Sequence, residues 1–565
     1  MTPLSSAANA SLLFPTLTSA QITRFAAHGV THPIARGEVL VQEGQTEVPF
    51  FVVKAGEIEI VRPSSLGDLV IAVNGPGKFT GEASMLLGRP AMMRLRVRES
   101  GEVVHLTRDE LLGLIQTDAE LSEVLMKAFI YRRTELVAQG IGDVLLIGSV
   151  HSAATLRIRE FLTRNGHPFK YLDLERDPDV QYLLDRFQVD RAELPVMICR
   201  GEAVLKNPSN QQIAERLGFN ERIDQHQLRD VIIVGAGPAG LAAAVYAASE
   251  GLDALVIEAS SPGGQAGSSS RIENYLGFPT GISGQELAGL AYAQAQKFGA
   301  DIMIAKGATE LTCERRPRGV KLDDGATIPA RAVIIATGAR YRKPALANLG
   351  QFEGAGVYYS ATFMEEAQLR DGDEVIVVGG ANSAGQAAMF LARTGRRVHL
   401  LVRSHGLSES MSRYLIRRIE ESPAIQLRTR TAIVALEGNG HLERVHWRDG
   451  TGDVTSHDVR HVFLMTGAEA NTGWLSGRVR LDEKGFIKTG PDLTQDDLAA
   501  AQWPLARSPY SLETSLPGVF AVGDVRCGNI KRVASAVGEG SIAISFVHRV
   551  LAEGSIADTR LPEAG

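Results

Sequence analysis

Val231–Glu258 reads VIIVGAGPAGLAAAVYAASEGLDALVIE. An apolar strand runs straight into Gly235-x-Gly237-x-x-Gly240, an alanine-rich helix opening at Pro238 and Ala239 follows, and a second apolar strand ends in Glu258. Each part has a mechanical reason. Gly235 allows the tight turn, Gly237 lets the backbone approach a diphosphate, and Gly240 lets helix and strand pack closely. The diphosphate then rests on the helix N-terminus, and a carboxylate about 20 positions on binds a ribose hydroxyl. A glycine triplet alone is a weak signal. The whole strand–turn–helix–strand–Glu unit is a strong one, and it predicts a dinucleotide-binding α/β domain.

The pattern returns 144 residues later in Glu374–Arg403, EVIVVGGANSAGQAAMFLARTGRRVHLLVR. Gly379 and Gly380 form the turn, Ala381 stands at the second glycine, and Asn382, Ser383 and Ala384 begin the helix. From Gly235 to Glu258 is 23 positions; the same offset from Gly379 falls on Val402, followed by Arg403. No carboxylate is there for an unmodified ribose, and a guanidinium is available for a 2′-phosphate. That predicts NADPH rather than NADH, against the alternative of a solvated Arg403 after an edge strand. Two unlike Rossmann-like units in one chain imply that one holds FAD while the other delivers hydride.

The surrounding composition is that of a multidomain globular chain of 565 residues. Lys+Arg number 59 against 65 Asp+Glu, a net charge of −6, which gives no electrostatic reason to expect nucleic acid or an anionic membrane surface. No apolar run approaches the ~18 residues of a membrane-spanning helix. No Lys or Arg precedes Arg24 to make a secretory n-region, so a cytoplasmic protein is expected. The three cysteines, Cys199, Cys313 and Cys527, are too few for a disulfide framework and too scattered for a zinc site or a CxxC motif. No metal site is expected.

Upstream, residues 1–140 carry short apolar strands (Val39–Val41, Phe50–Val53, Ile58–Val61, Leu69–Val73) broken by Gly37, Gly44, Gly56 and Gly67. This spacing predicts a small antiparallel β-barrel with helices. Over Asp118–Arg133 the period becomes helical, with Leu121, Leu125, Met126, Phe129 and Ile130 on one face. That helix either packs on its own barrel or serves as a dimer helix. Residues 141–222 read as an α/β unit: strand Val144–Ile147, helix Ala154–Asn165, strand Lys170–Leu174, helix Val180–Phe187, strand Val196–Cys199 after Pro195, and helix Asn210–Leu217. A charged linker, Asn220–Arg229, follows.

Over about residues 228–556 the chain resembles the low-molecular-weight thioredoxin reductases. Gly263-Gly264-Gln265 and Glu273-Asn274-Tyr275 match the family's flavin-loop motifs, and Ala336-Thr337-Gly338 matches its ATG turn. Gly523-Asp524 matches the aspartate on the flavin ribityl chain. Ala534 and Ala536-x-Gly538-Glu539-Gly540 match the helix start facing the flavin pyrimidine. The resemblance implies an FAD domain in two parts (228–340 and 468–556), an NADPH domain inserted at 341–467, and a homodimer.

In that family a Cys-Ala-Thr-Cys motif exchanges electrons with the flavin; here the two cysteine positions are Ser360 and Phe363. A hydroxyl forms neither the disulfide nor the thiolate this exchange needs. The 141–222 unit resembles a glutaredoxin or thioredoxin fold, with Pro195 at the cis-proline and Ser152-Ala153-Ala154-Thr155 where its own CxxC would lie. It is read as a docking or spacer module. The barrel resembles cyclic-nucleotide-binding domains, with Glu82 at the ribose position, but Ala91 and Met92 replace the expected Arg and Ser/Thr. Arg89 or Arg94 would then have to serve a bound phosphate.

The expected function is an FAD-dependent NADPH oxidoreductase that passes electrons to a small-molecule or protein acceptor. The cofactors carry the hydride chemistry, so no catalytic acid or base is assigned. A cyclic nucleotide or other small effector is expected at the N-terminal domain. The alternatives are a ligand-gated flavin sensor with little turnover, and a disulfide reductase with displaced cysteines.

Overall fold

The computed structural model of the protein describes residues 10–62, 68–81, 83–86, 88–178, 180–201, 203–221, 223–312, 317–361, 363–366, 369, 372–408 and 411–558. Strands β1 (Val30–Ile34), β2 (Val39–Val41), β3 (Phe50–Arg62), β4 (Leu69–Asn74) and β5 (Arg94–Leu106) form an antiparallel sheet ordered β1-β5-β3-β4, with β2 also on β5. The two strands predicted on either side of Gly56 are one. Gly56 (φ +81°) sits where the β3–β5 register shifts, and a β-carbon there would lie 2.5 Å from the Glu99 carbonyl oxygen. It marks a bulge rather than a turn.

The helix Ala119–Ala138 starts on Asp118, whose side chain accepts from the Leu121 N–H. Leu121, Leu125 and Phe129 are fully buried with Phe25, Phe50 and Phe79. Of the two readings of this helix, the structure has the one in which it packs on its own barrel.

The next module has β6 (Val144–Gly148), β7 (Phe169–Asp173), β8 (Val196–Cys199) and β9 (Ala203–Lys206) in the order β7-β6-β8-β9. β6 is parallel to β7 and antiparallel to β8, and β8 is antiparallel to β9, a strand the sequence reading passes over. The Leu194–Pro195 peptide bond is cis. The helix Ala153–Arg164 buries Ile158, Phe161 and Leu162 in a core continuous with Val231 and Ile233 of the following domain. The charged stretch after this module is no free linker. Asn220 both donates to and accepts from the backbone of Ile304 at 2.8 Å, and buried Arg229 meets Asp253 and Asp301 at 2.7 and 2.9 Å.

β10 (Arg229–Val234), β11 (Ala254–Glu258) and β12 (Asp301–Ile304) are parallel neighbours. β13 (Ala308–Thr312), β14 (Arg318–Leu322) and β15 (Thr327–Ile335) complete the sheet order β12-β11-β10-β15-β14-β13. The chain then leaves by β16 (Ala339–Tyr341) for a second parallel sheet made of β17 (Val357–Tyr358), β18 (Glu374–Val378), β19 (Arg397–Leu401) and β20 (Ile425–Arg428). β21 (Ala432–Gly438), β22 (Leu442–Arg448) and β23 (Val454–His457) form a separate antiparallel sheet. β24 (His461–Leu464) enters the second sheet between β17 and β18, and β25 (Ala468–Ala470) returns antiparallel to β16. β26 (Val519–Ala521) rejoins the first sheet beside β15, with Val333 opposite Val519. One α/β domain is thus inserted into another through the two-stranded β16–β25 ribbon. Among the described residues no helix is long and apolar enough to cross a membrane.

Candidate functional site

Both sheets present the C-terminal ends of their parallel strands to one cavity of about 1870 Å³, the place where open α/β sheets bind ligands. Gly235 (φ +107°) makes the turn after β10, and Gly237 caps the helix Pro238–Ser249 with Pro238 at its first position. A β-carbon on Gly240 would lie 1.8 Å from the Gly235 carbonyl oxygen, which makes glycine obligatory there. Gly235, Gly237, Pro238 and Ala239 line the cavity.

Glu258, at the end of β11, accepts from the N–H groups of Ala236 and Ser260 at 2.8 and 2.9 Å. Burial pushes its carboxyl above the ordinary range, and these backbone donors partly offset that. Gly264, Gln265 and Asn274 line the same wall, and Gln265 donates to the Ala339 carbonyl. Ala336, Thr337 and Gly338 stand opposite, locked by Asn471: its amide donates to the Thr337 carbonyl and the Thr337 hydroxyl to its own, each at 2.9 Å. A β-carbon at Gly338 (φ +63°) would project into open space. Open glycines, a free helix N-terminus and a buried carboxylate are what an FAD cradle needs, so the residues present fit that group.

Gly523 donates to Glu539 at 2.7 Å, and Asp524 lines the cavity. Burial pushes the Asp524 carboxyl up, and Glu539 adds to it. Ala534 is a correction. It is exposed, while Val533 and Ala536 line the cavity, because residues two apart on a helix face nearly opposite sides.

On the second sheet Gly379, Gly380, Asn382 and Ser383 line the cavity, and Ala381 caps the helix Asn382–Arg393 in extended backbone (φ −99°). The alanine methyl therefore brings no backbone strain. Ala384 does not face the cavity: it is fully buried and packs on Gly379, the third-glycine role of helix–strand contact. Arg403 is exposed on the cavity wall just after β19. Tyr341 on the connecting ribbon is hydrogen-bonded to Ser383, and burial pushes its phenol up, with Asp524 adding to the shift. Tyr341 therefore links the second dinucleotide turn to the Gly523-Asp524 segment of the first domain.

In the N-terminal domain, Glu82 lies outside the described residues, and Arg89 is a second correction. It is buried, donates to the Asn165 carbonyl and the Tyr292 hydroxyl at 3.3 and 3.2 Å, and does not serve a barrel ligand. Arg94 instead pairs with Asp68 at 3.4 Å. Among the described residues no group of three or more His, Cys, Asp or Glu could hold a metal ion.

Sequence reasoning missed the fourth wall. The middle module sends Leu156, Arg157, Glu160 and Arg164 of the helix Ala153–Arg164 into the cavity. Leu156 packs in one cluster with Tyr358 and Ala361, and a β-carbon on Gly354 would lie 2.5 Å from that of Ala153. Ser360, beside them, donates to the buried Glu365 at 2.6 Å. Burial raises Glu160, and Glu365 across the boundary raises it further. The only local signal was the helix's apolar face; which domain it meets is a long-range fact.

Comparison with known proteins agrees with this geometry. The family profile described as Pyridine nucleotide-disulphide oxidoreductase matches residues 229–540, and that of the Cyclic nucleotide-binding domain matches residues 31–118. Thioredoxin reductase of Mycolicibacterium smegmatis is 35% identical over 327 residues, covering 58% of this chain and 97% of its own. Thioredoxin reductase of Bacillus subtilis is 31% identical over 332 residues, covering 59% and 97%. Among solved structures, Lactococcus lactis thioredoxin reductase (FR conformation) superposes with a TM-score of 0.50 at 28% identity, covering 57% of this chain and 99% of that one. Thioredoxin reductase of T. acidophilum gives 0.50 at 28%, covering 58% and 100%.

Proposed function

The chain belongs to the pyridine nucleotide-disulphide oxidoreductase family and is an FAD- and NADPH-dependent oxidoreductase, and we propose that it passes electrons to a small-molecule acceptor rather than to a dithiol of its own or of a partner protein. Bound FAD supplies two-electron transfer between NADPH and that acceptor. In this reading Gly235, Gly237, Pro238, Ala239 and Gly240 cradle the FAD diphosphate, Glu258 binds its ribose, and Gly264, Gln265, Asn274, Ala336–Gly338, Gly523 and Asp524 orient the flavin half. Gly379, Gly380, Asn382 and Ser383 receive NADPH, and Arg403 selects its 2′-phosphate.

One observation carries the choice of acceptor. Ser360 holds no sulfur and is hydrogen-bonded to Glu365, and the Ala153–Arg164 helix covers its surroundings through Leu156 and Ala153. A protein disulfide has no thiolate to meet there, and the module helix narrows the approach to it. The sheet order of the covering module supports a thioredoxin-like fold for it, serving here as a fixed wall. The N-terminal domain takes a small effector whose binding does not use Arg89. A homodimer goes with the family reading.

Anaerobic titration with NADPH and separately NADH, followed by turnover with quinones and with thioredoxin disulfide, tests this. Bleaching of the oxidised-flavin band by NADPH and turnover with quinone alone are expected. Sustained reduction of the protein disulfide would overturn the acceptor assignment.

A further inference from the structure

Arg164 ends the module helix Ala153–Arg164, outside the residues that match the reductase family. Its Nη2 donates to the carbonyl oxygens of Gly264 at 2.8 Å and Pro262 at 3.5 Å, and its Nη1 meets Glu160 at 3.2 Å. The side chain lines the cavity and keeps 16% of its surface accessible. Gly264 sits directly across from the first dinucleotide turn: a β-carbon on it would lie 3.0 Å from the Gly237 Cα. Gly237 caps the helix on which a diphosphate would rest. The Arg164 charge is also felt at Glu258, where it favours the ionised carboxylate. The guanidinium therefore sits on the carbonyl of the glycine that faces the diphosphate cradle, near enough for its charge to act on the ribose carboxylate.

A glycine turn and a helix N-terminus offer a diphosphate only partial positive charge. Two other cations near this wall are committed elsewhere: Lys306 to Asp324 at 2.8 Å, and Arg157 to Asn210 at 2.9 Å and the Pro208 carbonyl at 2.7 Å. Arg164 pairs with one carboxylate, Glu160 at 3.2 Å, which burial and Glu365 push toward its neutral form while the Arg164 charge pulls it back.

We propose that Arg164 is an FAD-binding residue: it supplies the full positive charge that the diphosphate needs, so the appended module completes the flavin site. The proposal rests on seating FAD at Gly235–Gly240. It makes cofactor retention depend on a residue that the reductase domains alone do not contain.

The test is the FAD dissociation constant of the full-length protein, read by flavin fluorescence over a range of ionic strength. Arg164→Gln should weaken FAD about tenfold to hundredfold, the loss of one charged contact, and flatten the salt dependence. Arg164→Lys, which keeps the charge, should recover part of the affinity and the salt dependence. Asn220→Ala cuts another contact between module and FAD domain outside the cavity, and should leave FAD binding as it was. Unchanged affinity in Arg164→Gln overturns the proposal. So does an equal loss in Asn220→Ala with an unaltered salt dependence, which would make Arg164 a docking pin only. Gly240→Val that still retains FAD would instead show that the cofactor lies elsewhere, and both readings fall.

Discussion

The Arg89 guanidinium lies 3.8 Å above the centre of the Phe219 ring. One residue of the N-terminal barrel domain thereby holds the end of the middle module, and its hydrogen bond to Tyr292 reaches the FAD domain as well. A desolvated cation–π contact is worth up to about 2 kcal/mol and each hydrogen bond about 1. Arg89→Ala should cost about 3 kcal/mol in urea unfolding, with the barrel melting first and FAD content unchanged. Arg89→Lys should recover little, because an ammonium does not reproduce the planar stack.

Arg403 stands exposed on the cavity wall, one position beyond the residue that aligns with Glu258. If it holds a 2′-phosphate, Arg403→Ala should raise the KM for NADPH about tenfold while the KM for NADH stays as it was. Steady-state kinetics with both nucleotides decides it. Equal effects on the two would leave the guanidinium without a selective role.

Two described cysteines are poorly suited to redox work. Burial pushes the Cys199 thiol up to about 11, the Asp143 charge adding to it, and burial together with Asp482 raises Cys527. At pH 8 about one Cys199 in a thousand would be thiolate. Native protein should therefore resist iodoacetamide at Cys199, and a variant with all three cysteines replaced by alanine should keep NADPH-driven turnover. Loss of turnover in that variant would revive a displaced dithiol; Cys313 lies outside the described residues.

What could be read from sequence divides along physical lines. Gly235 and Gly240 announce themselves because their constraint is local: a methyl at 240 collides with a carbonyl five residues back. The inserted domain was legible from the recurring turn and the later Gly523-Asp524. Arg164 and Leu156 were not legible, since a charge and a leucine on an amphipathic helix say nothing about which distant loop they meet. Arg89 was misplaced for the same reason: position in a barrel motif does not show that Phe219, far along the chain, captures the side chain. Gly56 reads as a turn in the sequence because a bulge and a turn ask the same backbone freedom of glycine. Ala534 failed on helix phase, two positions from the residue that faces the cavity.

His461 contributes a pH dependence to the reductase half. It lies in β24, stacked on Tyr358 with 6.1 Å between ring centres, and burial pulls its imidazole down from 6.5 to about 4. Asp373 at 3.6 Å opposes that shift, while Arg460, His151 and Arg396 reinforce it. The folded protein thus keeps His461 neutral in a range where the unfolded chain binds a proton. Its contribution is complete above pH 6.5 and falls away as the pH drops toward 4, by about 2 kcal/mol between pH 8 and 5. His461→Gln cannot titrate and should flatten that part of the profile in urea unfolding at the two pH values. Tyr358, on which the ring stacks, also packs with Leu156 of the covering module. Acid should therefore loosen the module from the NADPH domain first, seen as faster amide exchange in 153–157 at pH 5 than in the His461→Gln variant once intrinsic rates are matched. Equal exchange in the two proteins would separate the histidine from the module's seat.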